Sequence, residues 1–271
     1  PAVKAKGDMA GVTRMHAHTL FADGPIAARL ARKHGLPYAV TLRYGDSEAI
    51  WKYEPHLRPM ARRILGGAAR VVCRGETMAQ ALFNIQNNYP GVHYLLFDGE
   101  PHNSSYTNYT TESNVHCVLF QEEQAGFLAG YAAVTDGYTQ LGFIGAEEIP
   151  GVVRYVTGFL QGAGYAAEQQ GLTVDLRTWF AGTYSASDDT TNRMLDWCNN
   201  GTTLLFVNSG NLIASAIDAA KETTSGNEVR VMASDYDQND SSDLILGSAI
   251  KCYNSAVQQA LYAFFSGNAA G

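Results

Sequence analysis

Ten short runs rich in β-branched or aromatic residues alternate with helix-period stretches along this 271-residue chain, and that alternation narrows the available folds more than any motif does. Strands are predicted at 12–17, 38–42, 70–73, 93–97, 115–120, 140–144, 173–179, 203–207, 229–233 and 244–249. Helices are predicted at 25–34, 48–65, 77–88, 121–134, 152–170, 188–200, 212–224 and 253–265. A parallel strand pair needs a helix-length crossover, so repeated strand–helix units predict an α/β fold with parallel sheets covered by helices. This many strands fills two flavodoxin-like lobes. In open α/β sheets ligands sit beyond the carboxyl ends of the strands, which makes the residues just after each strand the candidates for function. The turn-rich stretch 99–114, with sequons at Asn103 and Asn108, reads as a surface loop.

Composition excludes several classes. Hydrophobic residues make up 46% of the chain, enough for a sizeable core, and no apolar run is long enough for a transmembrane helix. The first eleven residues lack the pattern of a secretory signal, so no signal sequence is expected in this chain. The net charge of −7 argues against a nucleic-acid partner, and Arg29, Arg32 and Lys33 read as a solvated helix face. That total hides a break: residues 1–75 carry 13 Lys or Arg against 5 Asp or Glu, residues 76–271 carry 6 against 21. Such asymmetry points either to a basic face or to two pieces with separate histories. Cys73, Cys117, Cys198 and Cys252 are widely spaced and read as free, mostly buried thiols. His16 and His18 share one strand face but have no third ligand at metal-site spacing, so no metal is expected. No nucleophile elbow, phosphate loop or dinucleotide fingerprint occurs, so neither an enzyme nor a cofactor is expected.

From about Cys73 onward the chain resembles the basic membrane protein family of purine-nucleoside receptors that feed ABC transporters. The resemblance rests on Tyr89-Pro-Gly-Val-His-Tyr-Leu-Leu-Phe-Asp98, Glu122-Glu-Gln-Ala-Gly-Phe-Leu-Ala-Gly-Tyr131, Leu141-Gly-Phe-Ile-Gly145 with Ile149, Pro150 and the run Arg154 to Phe159, Ala181-Gly-Thr-Tyr184, Asp235-Tyr-Asp-Gln238 and Ser248-Ala-Ile-Lys251. It implies a type I periplasmic-binding architecture: a first lobe of residues 1–120 plus 250–271 and a second of 121–249, closing on a nucleoside in the cleft. It also implies a permease partner and an extracytoplasmic location, lipid-anchored or periplasmic. Tyr184, Gly210, Asp235 and Lys251 fall on strand ends of the second lobe. Tyr184 either stacks on a base or covers the sheet edge. Asp235 accepts hydrogen bonds from ribose hydroxyls or base nitrogens. Gly210 lets backbone approach the ligand, and Lys251 is a cleft-facing cation or a surface lysine. Asp98 ends a strand as a ligand contact, cap or turn residue. The helix after Pro150 presents free N–H groups to an anion or hydroxyl, or only to Glu147 and Glu148 as caps.

Residues from about 8 to 70 resemble instead the first lobe of GT-B-fold retaining glycosyltransferases, through His16-Ala-His18, Phe21-Ala-Asp-Gly24, Gly35-Leu-Pro37 and Thr41-Leu-Arg-Tyr-Gly-Asp46. The lobe that carries that family's sugar-nucleotide site has no counterpart here. A seam is expected between residues 53 and 75, with Phe21 replacing a stacking aromatic in the first lobe. Three readings follow: a nucleoside-binding protein with a foreign first segment, a chimeric α/β scaffold with impaired or no ligand binding, and a glycosyltransferase fragment.

Overall fold

The computed structural model describes residues 11–43, 46 and 53–266, which fall into two compact units, one within Pro1–Leu119 and Phe264–Gly271, the other Phe120–Ala263.

In the first unit the chain runs β1 (Met15–Ala17), α1 (Gly24–His34), β2 (Tyr38–Leu42), α2 (Arg58–Gly66), β3 (Arg70–Arg74), α3 (Glu76–Ile85), β4 (Tyr94–Phe97) and β5 (Val115–Val118). Every strand pair is parallel and the strands lie in sequence order, β1-β2-β3-β4-β5. The crossovers from β1 to β4, right-handed as such units are, therefore step the same way and deliver their helices to the same side. Ala27 and Ala31 of α1, Ile64 of α2 and Leu82 of α3 accordingly share one core with Val40, Val71 and Leu96. Ala39, Val72 and Leu95, which alternate with these along their strands, are buried too, as expected of parallel strands with no solvent face. Helix α1 shows why the local sequence works. Pro25 starts it where an N–H is not needed, Arg32, Lys33 and His34 meet the negative end of its dipole, and Gly35 takes the left-handed conformation that ends it (φ 65°).

One predicted element differs. Residues 48–52 of the expected helix 48–65 lie outside the described residues, and the rest holds a 3-10 turn, Pro55–Leu57, followed by α2. Pro55 and Pro59 each lack the N–H an interior helical position needs, so they open helical turns rather than continue one.

The second unit holds α4 (Glu122–Thr135), β6 (Gln140–Gly145), α5 (Pro150–Gln170), β7 (Asp175–Phe180), α6 (Asp188–Asn199), β8 (Leu204–Asn208), α7 (Ile213–Glu222), β9 (Arg230–Asp235) and β10 (Ile245–Ile250), and α8 (Tyr253–Phe265) begins in it. Its parallel sheet has the order β10-β9-β8-β6-β7, so the direction of winding reverses between β6 and β8. Reversal puts helices on both faces: α4 and α5 cover one through Ala133, Tyr155 and Phe159, and α6 and α7 cover the other through Met194, Trp197 and Ala216. Helix α6 is held at its start by a capping box between Ser187 and Thr190. Helices α4 and α5 meet backbone to backbone. A Cβ at Gly126 would overlap the Tyr155 carbonyl, one at Gly130 that of Phe159, one at Gly158 that of Glu123 and one at Gly162 that of Phe127. Two facing pairs of glycines four residues apart thus bring the first turn of α4 against the first turn of α5.

Candidate functional site

Glu122 opens α4 and is 1% exposed, which a carboxylate tolerates only when its charge is met. Its Oε2 accepts from Arg154 Nε at 2.7 Å, and its Oε1 lies 3.0 Å from Lys251 Nζ. Lys251, 7% exposed, follows β10; its ammonium also lies 3.5 Å from Asp235 Oδ1 and 5.7 and 5.5 Å from the ring centres of Phe120 and Tyr155. Asp235 closes β9 and is the more open carboxylate, 24% exposed. Four charges therefore form a chain, Arg154–Glu122–Lys251–Asp235, with no net charge. Arg154 Nε is also 4.0 Å from Glu123 Oε2.

The backbone supports this chain at each strand end. Asp235 is held at φ 69°, a left-handed conformation that is uncommon and costly outside glycine, though aspartate is among the residues that bear it best. Its carbonyl accepts from Lys251 N at 2.8 Å, and the Tyr155 hydroxyl donates to Ala249 O at 3.0 Å, so both strand ends are tied down. Next to them, Asn208 donates from Nδ2 to Ser234 Oγ at 2.8 Å, and Gln238 donates from Nε2 to Ser234 O at 3.1 Å and from its backbone N–H to Ser248 Oγ at 3.1 Å. Ser209 Oγ is buried and makes no hydrogen bond among the described residues.

Of the residues singled out from the sequence, the structure joins Asp235 to Lys251. Lys251 is not a surface lysine: it is 7% exposed and two carboxylates meet it. Gly210 follows β8, where a Cβ would lie 3.5 Å from Tyr236 Oη; Tyr236, 56% exposed, had no place in the sequence reading. Tyr184, 46% exposed, sits on the loop after β7, which is tied to the end of β6 by Ala181 N–H to Gly145 O and Gly182 N–H to Ala146 O, both 2.8 Å. Phe21 belongs to the other unit, where it packs half-buried against the core. At the start of α5 Ile149 caps without a side-chain hydrogen bond, and a Cβ on Gly151 would lie 3.3 Å from Glu122 Oε1. The anion at that helix N-terminus is the protein's own carboxylate.

Sequence reasoning missed Glu122 and Arg154 as site residues. Their one signal is that two charges open helices otherwise free of charge over residues 124–135 and 155–167.

In the first unit, Asp98 also ends its strand in the left-handed region (φ 64°), 3.9 Å from Arg74. The His16 and His18 rings lie 4.4 Å apart, tilted by 46°; His16 Nε2 lies 2.8 Å from Thr41 Oγ1, and burial, then the neighbouring His18, holds its pKa below the usual histidine value. Among the described residues no group of three or more His, Cys, Asp or Glu could hold a metal ion. Burial pushes the Cys73 thiol up to about 12 and those of Cys117 and Cys198 to about 11, while Cys252 is exposed. No helix among the described residues is long and apolar enough to cross a membrane.

Residues 68–271 match the family described as ABC transporter substrate-binding protein, PnrA-like. Among solved structures, an ABC transporter solute-binding protein of Aeropyrum pernix K1 is 18% identical with a TM-score of 0.66, over 94% of this chain and 70% of that one. A transcriptional activator of the comK gene from Bacillus halodurans is 17% identical with a TM-score of 0.64, over 94% and 82%. An ABC transporter solute-binding protein from Conexibacter woesei is 16% identical with a TM-score of 0.54, over 94% and 82%. No curated protein matches. None of these three structures is a glycosyltransferase, and their coverage accounts for the first strands by the same fold as the rest. The expectation of a second, glycosyltransferase origin for residues 8–70 has no support in them.

Proposed function

The chain belongs to the PnrA-like family of ABC transporter substrate-binding proteins, and on that footing we propose that it binds a purine nucleoside against the strand ends of its second unit. The observation that carries this reading is a partly exposed carboxylate, Asp235, fixed by backbone and ion pair next to an exposed ring, Tyr236, that reaches Gly210. A partly exposed carboxylate suits the hydroxyls and N–H groups of a nucleoside, and an exposed ring suits the flat face of its base. Tyr184 offers a second ring, Gly210 admits close backbone approach, and Lys251 holds Asp235. The reading requires no catalysis: the chain captures its ligand outside the cytoplasm and presents it to a transporter permease.

A thermal-shift screen with adenosine, guanosine, inosine and UDP-glucose tests it. A ligand at a hundred times its Kd stabilises the folded state by about 2.7 kcal/mol. The nucleosides are expected to raise the melting temperature and UDP-glucose to leave it unchanged; a response to UDP-glucose alone overturns the proposal. A second reading, a scaffold with impaired binding, is favoured by one observation. The first unit's sheet, among the described residues, runs in sequence order and lacks the reversal at which ligand crevices form. Under that reading none of the four compounds shifts the melt.

A further inference from the structure

We infer that Glu122, which no ligand needs to touch, is a specificity-determining residue that sets the strand ends of the second unit to accept uncharged ligands and refuse anions. This rests on the proposal that Asp235 meets the ligand. An ammonium and a guanidinium beside a ligand position ordinarily make a site for phosphate or carboxylate. Here both are met by carboxylates of the protein, Lys251 at 7% exposure and Arg154, through its Nε, at 39%. Glu122 gives one oxygen to Arg154 Nε at 2.7 Å and the other to Lys251 Nζ at 3.0 Å, and Asp235 takes a further share of Lys251 at 3.5 Å. Two cations against two carboxylates leave no net positive charge for an incoming anion. Glu123, 4.0 Å from Arg154, and the unit's 17 Asp or Glu against 6 Lys or Arg tilt the balance further away from one. A nucleoside fits this neutrality, and the same nucleoside carrying a phosphate does not. The device lies in Glu122's burial. At 1% exposure, beside the first turn of α5, its charge is neither screened by solvent nor free to leave.

Removing that one charge turns refusal into acceptance. Calorimetric titration at low ionic strength of inorganic phosphate, AMP and adenosine into the full chain, Glu122→Gln, and Glu122→Gln with Arg154→Gln makes the comparison. The parent is expected to ignore phosphate and AMP. Glu122→Gln leaves one uncompensated cation and is expected to gain affinity for both anions by about tenfold to a hundredfold. The double variant restores neutrality and is expected to lose that gain, an effect that a merely structural role for Glu122 does not produce. Asp235→Asn creates the same surplus at a more exposed carboxylate, so it keeps the test alive should Glu122→Gln fail to fold. No anion gain in the folded variants, or a gain that persists in the double variant, overturns the inference. Failure of the parent to bind adenosine sinks the nucleoside proposal and leaves the phosphate comparison to decide this one.

Discussion

Replacing Lys251 by Met removes a residue that joins Glu122 to Asp235 while keeping an apolar stem beside Phe120 and Tyr155. Breaking a buried ion pair from one side costs about 3–5 kcal/mol, because the partner's charge stays buried without compensation. Arg154 still meets Glu122 Oε2, and Asp235 is 24% exposed and recovers part of its hydration, so the lower end applies, about 3 kcal/mol. In a unit of about 150 residues, each kcal/mol moves the melting temperature by roughly 2–4 °C, so a fall of about 6–12 °C is expected. The second half of the prediction has the opposite sign. Glu122→Met in the Lys251→Met background removes the carboxylate that has lost its ammonium, and an apolar replacement of both partners is expected to recover about 1 kcal/mol or more. Urea unfolding of the parent, both single variants and the double variant closes the cycle. Lys251→Met within 0.5 kcal/mol of the parent, or a double variant whose loss is the sum of the two singles, would refute the idea that these charges depend on one another.

Gly162→Ala places a Cβ on the Phe127 carbonyl, where only backbone movement can make room, and is expected to cost about 2–3 kcal/mol in urea unfolding, whereas Gly164→Ala, with open space around it, is expected to be neutral or stabilising. In the folded protein at pH 8 a thiol reagent is expected to modify Cys252 quickly and Cys73, Cys117 and Cys198 only on unfolding, read by mass spectrometry. The same three thiols set an alkaline limit. Below about pH 8 they are protonated in both states and contribute almost nothing; from there to about pH 11 the unfolded chain releases protons that the folded one keeps, so stability falls as pH rises, by up to about 1.4 kcal/mol per pH unit for each thiol. Replacing Cys73 with Ser or Ala is expected to flatten that limb in urea unfolding measured across this range.

The strands and most helices were legible because they are local. The alternation of β-branched runs with helical periods placed 38–42 and 253–265 to the residue, and the other predicted strands within a few residues of where they form. The helix predicted at 48–65 went astray where Pro55 and Pro59 should have weighed more than periodicity. What no period carries is which strands lie side by side: β6 pairs with β8 across the whole of α5, β7 and α6, and the first sheet keeps sequence order while the second does not. The candidate site divides in the same way. Asp235 and Lys251 end strands, so their neighbourhood could be read from the strands, but Glu122 lies more than a hundred residues from both. As a carboxylate in the first turn of a helix it already has a local explanation in the dipole. Its burial and its two partners exist only once α4, α5 and β10 have come together.

Isothermal titration of adenosine, inosine and guanosine into the full chain and into Asp235→Ala tests the central claim most directly. Stacking on an exposed ring contributes about 1–3 kcal/mol and a hydrogen bond to a charged carboxylate about 1.5–3 kcal/mol. The parent is therefore expected to bind at least one of the three, and Asp235→Ala to bind it tenfold or more weakly. Nucleoside binding that survives the substitution unchanged, or no binding by the parent, would contradict the account.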